Sequence, residues 1–362
     1  MNKQLTIRKW LGLELFRRIR KTRLAKHEMQ TLFWECTLRC NLSCRHCGSD
    51  CHVKAHQADM PAEHFLRVIG QLTPSVNPNK LLVIFTGGES LLRDDLETCG
   101  LELYHRGYPW GVVTNGFLLT RRKLDALLAA GMHTLSISLD GFEAAHNWLR
   151  CHPDSYRRSV EAVQMLAGEE ELTWDVVTCV NKENLATLPA FRDQLISMGV
   201  KRWRIFTIFP AGRAASNPSL QLDNLEFTVL LDFIRFTRME GRIHLNYGCE
   251  GFLGNYEIEV RDQFYECHAG VTIASILADG SISGCPSIRA NFYQGNIYKD
   301  NLADVWENEF KPYRNREWAR KGQCANCKLF RYCEGNGMHL HDDNGNLMLC
   351  HYKRIETKQD DI

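Results

Sequence analysis

Three cysteines, Cys40, Cys44 and Cys47, stand in the spacing CxxxCxxC within FWECTLRCNLSCRHCGSDC, residues 33–51. Thiolates this close in sequence can wrap one face of a compact metal centre, and their number decides the chemistry. A structural zinc site is closed by four ligands, and most iron–sulfur cubanes take four cysteines. Three cysteines on a cubane leave one iron with a free coordination position. Such an iron can bind a small chelating molecule and pass it one electron, so the site reads as reactive. The competing reading is a zinc knuckle that recruits Cys36 or Cys51 as its fourth ligand.

Other residues with chemical capacity fall in two places. TGGES (Thr86–Ser90) ends an apolar run, where glycines let a backbone approach a ligand closely and Glu89 adds a carboxylate. Far downstream, Cys324, Cys327, Cys333 and Cys350 form a CxxC pair, a third cysteine and a distant fourth, a set that could chelate zinc or a cubane equally well. Cys99, Cys151 and Cys179 read mainly as packing, since a buried free cysteine behaves as a small apolar residue. Cys151 and Cys179 flank the chemical face and keep a minor candidacy as hydrogen-atom or thiol donors.

The elements that must position these groups are readable from periodicity. Apolar runs near Thr31–Glu35, Leu81–Thr86, Gly111–Thr114, Thr134–Leu139, Thr173–Val180 and Trp203–Phe209 alternate with amphipathic stretches such as Ala62–Leu72, Tyr156–Ala167 and Asn184–Met198. That alternation predicts an α/β fold with a parallel sheet. Six units fit a partial (β/α)6 barrel, with its chemistry at the carboxyl ends of the strands. Three regions result: a basic segment over 1–30, the barrel over 31–240 and a cysteine-rich unit over 241–362. Within the last, TIASILADGSISGC reads as a hairpin turning at Asp279–Gly280. Residues 1–28 hold nine Lys and Arg among Ile7, Trp10, Leu11, Leu13, Leu15, Phe16 and Ile19. They predict an amphipathic helix, basic on its wet face, that caps the next domain; the alternative is peripheral contact with an anionic membrane or an acidic peptide.

Bulk properties exclude several classes. With 44% hydrophobic residues over 362 there is material for a large core. A net charge of +1 points to neither nucleic acid nor an acidic partner. Fifteen cysteines without a visible secretory signal read as metal ligands in a reducing, cytoplasmic setting. No run approaches the roughly 18 apolar residues of a membrane span.

At CxxxCxxC, TGGES, VTNG (Val113–Gly116), SLDG (Ser138–Gly141), HNWLR (His146–Arg150) and FPAGRA (Phe209–Ala214) the chain resembles the radical S-adenosylmethionine (SAM) superfamily. The resemblance implies a [4Fe–4S] cluster on Cys40, Cys44 and Cys47 whose open iron takes the amino and carboxylate groups of SAM. Reductive cleavage would then give a 5′-deoxyadenosyl radical that abstracts a hydrogen atom. It further implies that Gly87, Gly88 and Glu89 meet the SAM amino group, and that Asn115, Ser138 and Asp140 line the pocket. Arg150 would pair with the SAM carboxylate, a planar fork of donors facing two oxygens. Gly212 and Arg213 would border the same pocket. Ser90 stands where the family usually has proline.

The C-terminal cysteines resemble the SPASM extension of radical SAM enzymes, which carries auxiliary [4Fe–4S] clusters. Carried over residue by residue, Cys324, Cys327, Cys333 and Cys350 complete one cluster. Cys249, Cys267 and Cys285 would hold another with only three thiolates, because Gly337 stands where the family has a cysteine; either its iron is open, or taken by another group such as His339, or that cluster is absent. SPASM enzymes commonly modify ribosomally made peptides, which implies a peptide or protein substrate and an electron donor such as flavodoxin or ferredoxin. Sulfatase maturases carry an acid directly after the position of Cys285, and Pro286 occupies it here. The segments RKWLGLELFRRIR, NYGCEGFLGNYE and YCEGNGMHL are similar to the radical SAM/lipoprotein-system subfamily, which adds a small lipoprotein as a partner. The alternatives are an enzyme acting on a tetrapyrrole or quinone-type precursor, and a zinc-binding scaffold without catalysis.

Overall fold

The computed structural model describes residues 5–55 and 57–356. Strands β1 (Thr31–Thr37), β2 (Leu82–Gly87), β3 (Trp110–Thr114), β4 (Met132–Ser138), β5 (Thr173–Val180) and β6 (Arg202–Thr207) lie side by side in that order, each pair parallel. The helices packed with them are α2 (Ala62–Leu72), α3 (Leu96–His105), α4 (Arg121–Ala129), α5 (Glu143–Arg150), α6 (Ser155–Ala167), α7 (Lys182–Leu185), α8 (Leu188–Ser197) and α9 (Asn224–Glu240); α1 (Ile7–Lys26) precedes them. α2 shows why these segments are helical: Phe65, Val68, Ile69 and Leu72 recur at three- and four-residue steps, and all four are buried.

The helix expected over Asn184–Met198 is broken in two. Pro189 lacks an N–H and disfavours a helical residue before it, so it sits in the first turn of a new helix, α8. Asn181 starts the short helix before it through a capping box with Asn184.

The chain beyond residue 241 extends the same sheet at both edges. β7 (His244–Tyr247) pairs parallel with β6, and β8 (Ile273–Ile276) pairs parallel with β1 on the opposite side. β9 (Ser281–Ser283) and β10 (Gly295–Asn296) complete a ten-stranded sheet ordered β10-β9-β8-β1-β2-β3-β4-β5-β6-β7. The β8–β9 hairpin turns through Gly280 at φ 84°, a left-handed value that suits glycine. Pairing on both sides of β1 removes an exposed edge from the strand that carries the cysteine motif.

α1 is helical as expected and its exposed face carries Arg8, Arg18, Lys21 and Lys26, but that face is also apolar and part of the basic set is turned to the body. Three of its cations turn inward: Lys9 meets Glu259 at 2.6 Å, Arg20 meets Glu334 at 2.8 Å, and Arg23 pairs with Glu266. Leu13 packs with Phe252, Tyr265 and Tyr332. Ile7, Trp10, Leu11, Leu15 and Ile19 are left exposed. Acceptors on the body, not the helix's own pattern, decide which side faces in.

The core centres on aromatic side chains under the first strands. Trp34 stacks on Phe65 at 4.2 Å, and Phe85 meets Trp110 edge-on at 5.4 Å. All four are fully buried. Phe85→Ala is therefore expected to cost about 3–5 kcal/mol, read as a lower urea midpoint under anaerobic conditions.

Candidate metal and cofactor site

Gly87, Gly88, Glu89, Asn115, Ser138 and Asp140 sit at or just past the carboxyl ends of β2, β3 and β4, and Arg150 closes α5. β1 runs out at Thr37 into the loop 38–51 that carries the three cysteines. Beside it, β2 ends in Gly87 and Gly88. The Gly88 and Glu89 N–H groups donate to the Thr37 and Arg39 carbonyls at 2.8 Å, zipping the glycine turn against the cysteine loop. A β-carbon on Gly87 or Gly88 would stand 2.1 Å from one of those two oxygens, so no other residue fits.

The loop is clamped from two more directions. Arg213 donates through Nε to the Cys44 carbonyl at 2.7 Å and through Nη1 to the Cys51 carbonyl at 2.9 Å; its own N–H reaches the Cys47 carbonyl at 3.0 Å. Arg93 holds the Cys36 carbonyl at 2.7 Å, and the Cys36 thiol donates to the Thr86 carbonyl at 3.3 Å. Cys36 is thus a packed residue beneath the loop. The structure places Arg213 on the loop's carbonyls, which makes it a positioning residue for the cysteines.

Each motif sulfur accepts a hydrogen bond from a different polar donor. Asn115 Nδ2 reaches Cys40 Sγ at 3.9 Å, Arg150 Nη1 reaches Cys44 Sγ at 3.8 Å, and the Cys51 N–H reaches Cys47 Sγ at 3.4 Å. Donors aimed at sulfur favour its thiolate form. Burial works against them: it pushes the Cys40 thiol up to about 12 and raises Cys44. Cys47 is held low, at about 5, by a hydrogen bond from the Cys51 thiol, whose own value rises in return. Nothing in the spacing of the motif singles out Cys51 for this part.

The carboxylates of the site are spent within the protein. Glu89 is fully buried and accepts from the Thr114 hydroxyl at 2.7 Å, the Asn115 N–H at 2.8 Å and the Leu91 N–H at 3.2 Å. Burial raises its carboxyl, and those bonds oppose the rise. Asp140 is also fully buried, with Oδ2 taken by Arg150 Nε at 2.6 Å and Oδ1 by the Cys179 N–H at 2.9 Å. Burial pushes Asp140 up, and the Arg150 guanidinium overcomes it, leaving the carboxyl at about 2. His146 receives the Asp140 N–H at 3.0 Å and sits 3.0 Å from the Ser155 hydroxyl; burial drops its value to about 4, so it is neutral. Ser138 is the half-buried last residue of β4.

The downstream cysteines gather into the two groups assigned to them. Cys249, Cys267 and Cys285 lie near enough to raise Cys249 through their mutual charge, after burial, to about 12. Cys324, Cys327, Cys333 and Cys350 do the same for Cys333, also to about 12. His339 packs its ring edge-on against Phe209 at 4.8 Å, and a β-carbon at Gly337 would come within 2.6 Å of that ring.

The donor sets are all thiol sulfur, the ligand type that iron–sulfur clusters take. Tetrahedral zinc with sulfur bonds of about 2.3 Å brings its sulfurs to roughly 4 Å of one another. Among the described residues, the trio of ligand atoms converging within 4.8 Å is His46, Asp140 and Cys179, whose carboxylate is already engaged.

Between the cysteine loop and the C-terminal region lies a cavity of about 260 Å³. Its walls include His46, Cys47, Gly87, Cys179, Phe209 and Arg289. Arg289 donates to Glu35 at 2.7 Å and to the Ser49 hydroxyl. Cys179 thus faces the site, and Cys151 is exposed on the surface. Arg289 and Glu35 carry no motif and were not legible as site residues.

Comparison with known proteins agrees with this geometry. The radical SAM superfamily pattern matches residues 34–195, and an iron–sulfur cluster-binding SPASM domain matches residues 267–328. The chain is 24% identical over 343 residues to the AdoMet-dependent heme synthase of Nitratidesulfovibrio vulgaris, covering 88% of this chain and 91% of that one. It is 25% identical over 317 residues to the PqqA peptide cyclase of Bradyrhizobium diazoefficiens, covering 82% and 77%. The solved structure of anSMEcpe with bound AdoMet superposes with a TM-score of 0.71 at 18% identity, over 91% of this chain and 95% of that one. Carrying [4Fe–4S] clusters and S-adenosylmethionine as its cofactors, the chain belongs to the radical SAM superfamily, in the branch with a C-terminal SPASM domain, and is an enzyme.

Proposed function

We propose that this radical SAM enzyme modifies a peptide or protein, with Cys40, Cys44 and Cys47 holding the SAM-binding cluster. A [4Fe–4S] cluster held by these cysteines would supply one electron for reductive cleavage of a carbon–sulfur bond of SAM, releasing methionine and providing the hydrogen-atom abstraction the reaction needs. Around it, Asn115, Arg150 and the Cys51 N–H stabilise the three thiolates. Arg150 also presents its guanidinium to the SAM carboxylate, and Asp140 fixes its direction from behind. Gly87 and Gly88 keep the floor of the pocket free of side chains.

The observation that carries the substrate class is the charge of the cavity wall. Its one guanidinium, Arg289, is neutralised by Glu35, which is itself buried. A tetrapyrrole precursor brings several carboxylates, and this wall offers them no unpaired cation. An extended peptide needs none, since backbone and hydroxyl groups such as Ser49, Thr86 and Ser287 can pair with it. PqqA peptide cyclase is a relative with a peptide in its name, and anSMEcpe has also been solved with AdoMet and a Cp18Cys peptide. The heme synthase similarity supports the second reading, a porphyrin substrate.

The deciding experiment offers the anaerobically reconstituted full chain SAM, a reductant and, in separate arms, peptides encoded beside its gene and an iron porphyrin carrying propionates. Formation of 5′-deoxyadenosine with a mass change on a peptide is expected; conversion of the porphyrin with every peptide intact would sink the peptide reading. Arg289→Gln is expected to lower substrate modification at least tenfold while SAM cleavage without substrate persists. Asp140→Asn should weaken SAM binding about tenfold, measured by calorimetry, with the iron content unchanged.

The pH response follows from the same pair. Asp140 is depressed below the ordinary carboxyl value of about 3.9, so the ion pair is present above pH 4 and is lost as pH falls toward 2. Across pH 6–8 Asp140 stays charged and His146 neutral, and SAM affinity measured over that range is expected to be flat.

A further inference from the structure

A helix that only caps its domain buries its apolar stripe and wets its charges. α1 instead buries Lys9 and Arg20 and leaves most of its apolar residues exposed. Ile7, Leu11 and Leu15 follow one another at four-residue steps along its outer side, flanked by Trp10 and Ile19, and these five are 38–61% exposed. Arg8, Arg18, Lys21 and Lys26 are exposed on the same side. The helix has one acid, Glu14, and that is engaged by Arg331 at 2.9 Å and the Tyr332 hydroxyl at 2.6 Å. The outer face is therefore apolar and cationic.

This face is held rigidly. Gly12 lets α1 press against Phe264, whose ring would stand 2.7 Å from a β-carbon there. Arg20 is buried and donates to the Tyr332 and Arg331 carbonyls at 2.6 and 2.9 Å. The helix cannot roll its apolar side inward without giving up these bonds.

A second observation lies beside it. Ile258 has φ 62° and is 42% exposed. A β-branched residue in the left-handed region is strained, and here the strain holds an apolar side chain at the surface. Its neighbour Glu259 pairs with Lys9 of α1 and stands 3.8 Å from Arg235 of α9. Ile258 thus stands between α1 and α9, whose Phe236 and Met239 are 54% and 76% exposed.

We propose that α1 seats this protein on an anionic lipid bilayer, lying flat with its apolar residues in the boundary between headgroups and acyl chains. Charge complementarity selects this occupant. Arg8, Arg18, Lys21 and Lys26 would meet lipid phosphates, whereas a second copy of the chain would bring four like charges against four. None of the described helices is long and apolar enough to cross a membrane, so the attachment is peripheral and reversible. The proposal does not depend on the substrate.

Density flotation of the reconstituted full chain tests it, with vesicles of phosphatidylcholine plus phosphatidylglycerol and of phosphatidylcholine alone. Flotation with the anionic vesicles is expected, falling at least tenfold on neutral vesicles or in high salt. L11S/L15S should lose flotation while keeping iron content and melting temperature, because both residues point away from the body. R18Q/K21Q, which leaves the apolar stripe intact, should lose most of it too. Wild-type protein that stays at the bottom of the gradient overturns the proposal, as does unchanged flotation of both variants. A dimer seen by light scattering, dissociated by L11S/L15S and indifferent to vesicles, would show that the face is an interface between copies instead.

Discussion

Three cysteines held at the end of one strand become a concentration of negative charge when they give up their protons to a metal, and burial of Cys40 and Cys44 opposes that step. The fold meets this constraint locally, with a polar donor for each sulfur from Asn115, Arg150 and the Cys51 N–H. Those donors come from three different connections, after β3, from α5 and from the cysteine loop itself. The parallel sheet brings them together because its strands all deliver their carboxyl ends to one rim. Glu89 and Asp140 then serve as anchors for the donors: Glu89 fixes the turn that carries Asn115, and Asp140 aims Arg150.

Much of this was legible in the chain because it is written in spacing. CxxxCxxC, the paired glycines and the strand–helix alternation each depend on neighbours in sequence, and the strands and most helices lie where periodicity puts them. The downstream cysteines also lie close enough within each group for their charges to raise Cys249 and Cys333. What spacing could not convey is how a polar group is used once buried. Glu89, Asp140 and Arg213 were readable as pocket residues, and the structure turns the polar ends of all three onto the protein. Arg289 and Glu35 are 254 residues apart and meet in the cavity without any local pattern announcing it.

The orientation of α1 was misread in part, for the same reason. Its own hydrophobic pattern asks to be buried, and an isolated reading grants that. The body instead offers Glu259, Glu266 and Glu334, carboxylates buried or half-buried that would be costly to leave without cations. Satisfying them consumes the helix's Lys9, Arg20 and Arg23 and leaves Ile7, Leu11, Leu15 and Ile19 outside. The break at Pro189 is a different case, since the proline was visible and its cost in a helix interior is known.

The place of β1 has a consequence for biogenesis. This strand is flanked by β2 on one side and by β8 on the other, and β8 is made some 240 residues later on the ribosome. Until then the strand that leads into the cysteine loop has a bare edge, open to pairing with any other extended chain. A nascent or truncated polypeptide lacking residues 273–276 would keep its reactive thiols on a half-built scaffold. Sulfur chemistry and completion of the sheet are in this way tied to one late event in synthesis.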